Sequence, residues 1–94
     1  MKNRLTPKLG SIVLSRAGRD EGRRFLVVGL EGEEYALIAD GDLRMALRPK
    51  RKKYRHLYVV QLESSLQKDL EEGRAVSDSE IRACLQAAER SEEG

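Results

Sequence analysis

Gly10-Ser-Ile-Val-Leu-Ser-Arg-Ala-Gly18-Arg-Asp-Glu-Gly22-Arg-Arg-Phe-Leu-Val-Val28 is the stretch whose reading decides the fold. Ser11 to Ser15 alternates, placing Ile12 and Leu14 on one face of a strand and Val13 on the other. A turn follows, with Gly18 and Gly22 four residues apart and Arg16, Arg19, Arg23 and Arg24 around them. Phe25 to Leu30 is rich in β-formers and gives the second strand, where Gly29 marks a bulge or bend. The segment therefore predicts a β-scaffold that holds a basic loop in place.

Working outward, Glu31-Gly32-Glu33-Glu34 reads as the next turn and Tyr35 to Ala39 as a third strand. Asp40-Gly41-Asp42 is a hairpin signal. Leu43, Met45 and Leu47 alternate with Arg44, Ala46 and Arg48, which predicts a fourth strand with one face on the core, interrupted by Pro49. Lys50 to Lys53 reads as a basic run and His56 to Leu62 as a fifth strand. Five short strands at intervals of about ten residues fit a small antiparallel barrel. The expected class is mainly β: an SH3-like barrel over residues 9–61, after a flexible basic lead-in at 1–8. An OB-type barrel fits less well, because it usually needs more residues and aromatics for base stacking.

Past the barrel the period changes. Leu62, Leu66 and Leu70 repeat at helical spacing, and Gly73 supplies a stop. Ser77-Asp78-Ser79-Glu80 has the form of a capping box, and Ile81, Cys84, Leu85 and Ala88 form the stripe behind it. Helices are predicted at 64–72 and 78–90, with 91–94 frayed, making residues 62–94 an acidic helical extension.

Composition narrows the function classes. The chain has 94 residues, 36% charged and 39% hydrophobic, enough for one domain with a modest core. The net charge of +2 hides an asymmetry. Residues 1–57 hold 14 Lys/Arg against 7 Asp/Glu, and residues 58–94 hold 4 against 9. Such a split points to a polyanion-binding part with an acidic appendage; two well-solvated halves are the plainer alternative. The single Cys84 excludes an internal disulfide, and no Cys/His spacing suits zinc. No apolar run approaches the roughly 20 residues of a membrane span, and residues 1–7 lack the apolar centre of a signal peptide. The expected setting is cytoplasmic, with no membrane association. There is no P-loop, no nucleophile with a placed base and no metal-ligand set, so neither catalytic residues nor cofactors are expected.

Two basic elements carry the candidate site. In the turn, Gly18 and Gly22 permit close backbone approach, and Arg16, Arg19, Arg23 and Arg24 offer forked donors that match phosphate geometry. Asp20 and Glu21 could hold those arginines in place, and a solvated, salt-bridged hairpin tip is the bland reading. The second element is Arg48, Lys50, Arg51, Lys52, Lys53 and Arg55, six cations within eight positions. Their mutual repulsion costs stability unless an anion relieves it, while lysines guarding a sheet edge are the alternative. Tyr54 and Tyr58 read as half-buried strand residues, and the sole histidine, His56, as structural. The acidic helices have the wrong sign to enter a major groove and are expected to pack on each other or on the barrel.

Leu9 to Val28 resembles the KOW motif of ribosomal proteins and of NusG-type elongation factors, with Gly18 as its central glycine. Ala36-Leu-Ile-Ala-Asp-Gly41 resembles a segment at the same relative place in the L14e-type ribosomal proteins and in short bacterial KOW proteins. The resemblance covers residues 9–57 and implies an SH3-like barrel that binds RNA, rRNA above all, or a ribonucleoprotein that includes ribosomal proteins. The expectation is thus a non-catalytic, ribosome- or translation-associated RNA-binding protein. The competing expectation is a protein-interaction module acting as an adaptor in a transcription or translation complex. Neither the RNA nor the oligomeric state is legible in the sequence.

Overall fold

The structure, a computed structural model, describes residues 5–93. Its strands are β1 (Ile12–Ser15), β2 (Arg24–Glu31), β3 (Tyr35–Ala39), β4 (Lys50–Lys53) and β5 (Leu57–Gln61), followed by α1 (Gln67–Glu71) and α2 (Asp78–Glu93). All pairings are antiparallel, in the order β4-β3-β2-β1-β5. Gly29 does mark a bulge: the β2–β3 register shifts between Val27 and Gly29, and a Cβ at Gly29 would lie 2.8 Å from the Leu37 side chain.

The central strands are apolar on both sides because both faces are covered. Val13, Phe25, Val27, Ala36, Ile38, Leu57 and Val59 pack together on one face. Ile12, Leu26 and Ala39 lie on the other, beneath Leu66 and the α2 stripe of Ile81, Cys84, Leu85 and Ala88. Burying a side chain such as Ile81 or Leu85 contributes about 1.5–3 kcal/mol, so α2 is part of the core and not a loose tail.

The sheet is open: among the described residues no ladder joins β4 to β5. It must nevertheless curl. A flat five-stranded sheet would hold its edges about 19 Å apart, at roughly 4.8 Å per strand. The chain passes from Lys53 to Leu57 through one 3-10 turn, Tyr54–His56, and four residue steps reach at most about 14 Å. Only a curled sheet brings its two edges within that span.

The fourth strand differs from expectation. Residues 43–47 form a turn-rich loop, and Leu43, Met45 and Leu47 are exposed, not core. Asp40 is the reason. Its Oδ1 accepts the backbone N–H groups of Asp42 at 3.0 Å and Arg44 at 2.9 Å, so those donors are turned away from any ladder. Gly41 adopts φ +77°, and the Ala46 N–H donates to the Asp78 carboxylate at 2.7 Å. The run that pairs with β3 is instead Lys50–Lys53, in the register Tyr35↔Lys53 to Ile38↔Lys50. The basic run is thus an edge strand, the place that the edge-guarding alternative gave these lysines.

The helices follow their caps. Ser77 Oγ accepts the Glu80 N–H at 3.1 Å while Glu80 Oε1 accepts the Ser77 N–H at 2.9 Å, completing the capping box. α2 continues to Glu93, beyond the predicted end at 90; Gly94 lies outside the described residues. α1 is shorter than the predicted 64–72. It ends in paired bonds from the Gly73 N–H to Leu70 and from the Arg74 N–H to Asp69, with Gly73 at φ +80°. Of the lead-in, residues 1–4 lie outside the described residues, whereas Pro7 is buried and Lys8 pairs with Glu63 at 3.0 Å.

Candidate functional site

The curl brings the two basic elements against each other. β4 runs along the open edge, and its pleat divides the basic run. Lys50 and Lys52 stand opposite Ile38 and Ala36, so they share the concave face with the inner core. There they meet the β1–β2 turn. Lys52 Nζ donates to the Ala17 carbonyl at 2.8 Å, and Lys50 Nζ pairs with Asp20 at 3.0 Å. The Arg16 N–H also donates to the His56 carbonyl at 2.8 Å, joining the turn to the segment after β4. Side chains thus tie together what the backbone ladder leaves open.

Asp20 is the hub of this junction. It sits in a 3-10 turn (Gly18–Asp20) between two glycines of positive φ, is only 3% exposed, and receives Arg44 at 3.2 Å as well as Lys50. Burial alone would raise its carboxyl pKa; hydrogen bonds from Lys50 and Arg44, with their charges, outweigh that and hold it below the ordinary value. Lys52 is 8% exposed. Burial pushes its pKa down, the Lys50 and Arg44 charges add to that, and Asp20 opposes it. The role foreseen for Asp20, holding the turn's own arginines, goes instead to Arg44 and Lys50. Arg44 escaped notice because its position read as the polar side of a strand.

The other turn arginines face elsewhere. Arg23 pairs with Asp40 at 2.9 Å, and that bond raises the guanidinium's pKa. Burial would raise the Asp40 carboxyl, but Arg23 and the Arg44 and Asp42 amides hold it down. Arg24 faces Glu89 of α2 at 3.8 Å. Both arginines border an open cleft of about 400 Å³ that also contains Asp42, Arg82 and Gln86. The expected single footprint edge of Arg16, Arg19, Arg23 and Arg24 is therefore split. Arg16 and Arg19 are exposed beside β4, and Arg23 and Arg24 belong to a mixed-charge cleft against α2.

The second element is divided as well. Arg51 and Lys53 lie on the outer face, over the Tyr35 ring at 4.3 and 5.8 Å from its centroid. Arg51 also meets Glu31 at 3.4 Å, an exposed pair of small energetic weight. Arg48 and Arg55 are exposed. Gly22 has open space above it, and a Cβ at Gly18 would sit 3.4 Å from Lys52 Nζ. Tyr54 packs against the inner core from the 3-10 turn, and Tyr58 is more exposed than expected.

The junction gathers Lys50, Lys52 and Arg44 around the buried Asp20, with Arg16 and Arg19 exposed on the turn and Arg48 exposed on the loop before β4. Its cations outnumber the carboxylate they surround, an arrangement that favours anions. Among the described residues there is no cluster of three metal-ligating side chains, and no helix is long and apolar enough to cross a membrane. Compared with protein-family models and with curated proteins, the chain matches none.

Proposed function

We propose that this chain is a non-catalytic RNA-binding protein of the KOW type, a curled sheet of SH3-like barrel character that docks on folded RNA in the translation machinery. The supporting observation is the juxtaposition of the turn and β4, fixed by Lys52–Ala17 and Lys50–Asp20. Cations of the turn and of β4 are thereby held side by side. Asp20 neutralises about one of the three cations around it, so the site keeps a positive excess that an RNA phosphate relieves. Arg16, Arg19, Arg48 and Arg55 supply the outward donors, and Lys50, Lys52 and Arg44 supply the positive field beneath them. Such contacts go to phosphates, position the protein and read little sequence.

The test is binding of a folded RNA hairpin by fluorescence anisotropy across a salt series. Neutralising about four phosphates gives a log–log salt slope of roughly −3 to −4. Replacing Arg16, Arg19 and Arg48 by Ser should flatten that slope by about 2–3 and leave the melting temperature unchanged. A flat slope for the natural chain overturns the mechanism. Sedimentation of the protein with ribosomal particles, lost on RNase treatment, supports the translation assignment; free protein at the top of the gradient contradicts it.

A further inference from the structure

The β3–β4 loop displays apolar side chains on a rigid frame. Leu43, Met45 and Leu47 are 62%, 44% and 94% exposed, yet the backbone carrying them is pinned at several points. Asp40 Oδ1 holds the Asp42 and Arg44 amides, Asp20 holds the Arg44 guanidinium, and Asp78 holds the Ala46 amide. The Arg82 side chain fastens the Gly41 carbonyl to α2, and the Arg48 N–H closes onto the Met45 carbonyl. A floppy loop would fold such side chains inward. This one holds them out before any contact, which removes much of the ordering cost of association.

We propose that this loop is the contact between two copies of the chain. The argument is its charge pattern. The apolar stretch is flanked by exposed Asp42 on one side and exposed Arg48 on the other. A uniformly anionic lipid surface would repel the Asp42 end. A twofold arrangement of two such loops sets each Asp42 against the partner copy's Arg48 and stacks the apolar side chains between them. A seven-residue loop covers less than the roughly 800 Å² per partner of a standard interface. The dimer is therefore weak. Arg48 is shared with the proposed RNA surface, so self-association is measured without RNA.

Sedimentation equilibrium of the 94-residue chain from micromolar to about 1 mM tests it. The mass should rise from the 10.6 kDa monomer toward twice that value. Replacing Leu43 and Leu47 together by Ser should weaken association at least tenfold without lowering the melting temperature. Asp42→Arg or Arg48→Asp alone should weaken it, and the two together should restore it. A monomer at every concentration overturns the proposal and leaves the loop to a different protein. Association that survives the Ser variant, or charge reversals with no mutual rescue, overturns it too.

Discussion

Replacing Asp20 by Asn removes the carboxylate that binds the turn to the open edge, and its cost follows from the structure. Removing one partner of a buried ion pair typically costs about 3–5 kcal/mol. Here the Arg44 and Lys50 side chains are 33% and 32% exposed, so both can recover part of their hydration. That lowers the expectation to about 2 kcal/mol. With about 2.1 cal/mol/K of unfolding entropy per residue over 94 residues, the melting temperature falls by about 10 °C. The pH dependence supplies a second arm. The Asp20 carboxyl is held below its ordinary value in the folded state. Its contribution is therefore complete above the unfolded carboxylate pKa, near about 4, and is lost as pH falls through the lowered folded value. Urea unfolding of both proteins at pH 7 and at pH 2 should show the gap at pH 7 and a much smaller one at pH 2. A difference under about 0.5 kcal/mol at pH 7, or a gap undiminished by acid, would refute the reasoning.

Gly41→Ala should destabilise by about 2–4 kcal/mol, read from a denaturant midpoint, because φ is +77° and the new Cβ would overlap the Asp78 carbonyl. The same midpoint should be unmoved by Gly22→Ala beyond the roughly 1 kcal/mol of its left-handed backbone, since nothing stands within 4 Å of that Cβ. Ser77→Ala opens the capping box at the start of α2 and should cost about 1 kcal/mol in thermal unfolding.

The first three strands were legible because their apolar residues lie between unambiguous turns. Tyr35 to Ala39 falls where its β-formers place it, and the register shift occurs at the glycine that suggested it. Residues 43–50 were not legible. Their alternation satisfied the strand pattern perfectly, yet a local competitor, the Asp40 carboxylate, took the donors a ladder would have used. The β4 residues have no apolar alternation to mark a strand, and only the alternative of lysines guarding a sheet edge pointed to their place. At the site, the chemistry of the two basic elements was visible as composition. Which cations face outward was not. That depends on the parity of β4 and on Asp20, Asp40 and Asp78, each drawing its partner from a distant segment.

The pleat of β4 has a practical consequence for anyone who mutates this tract. Neutralising Lys50, Arg51, Lys52 and Lys53 as a block would abolish two different things at once. Lys50 and Lys52 seal the seam between the edge and the turn, while Arg51 and Lys53 lie outside on Tyr35. A block variant that fails to bind would be indistinguishable from one that has come apart at the seam. Odd and even positions have to be altered in separate proteins, so that a loss of cohesion at Lys50 and Lys52 is not mistaken for the loss of charge at Arg51 and Lys53.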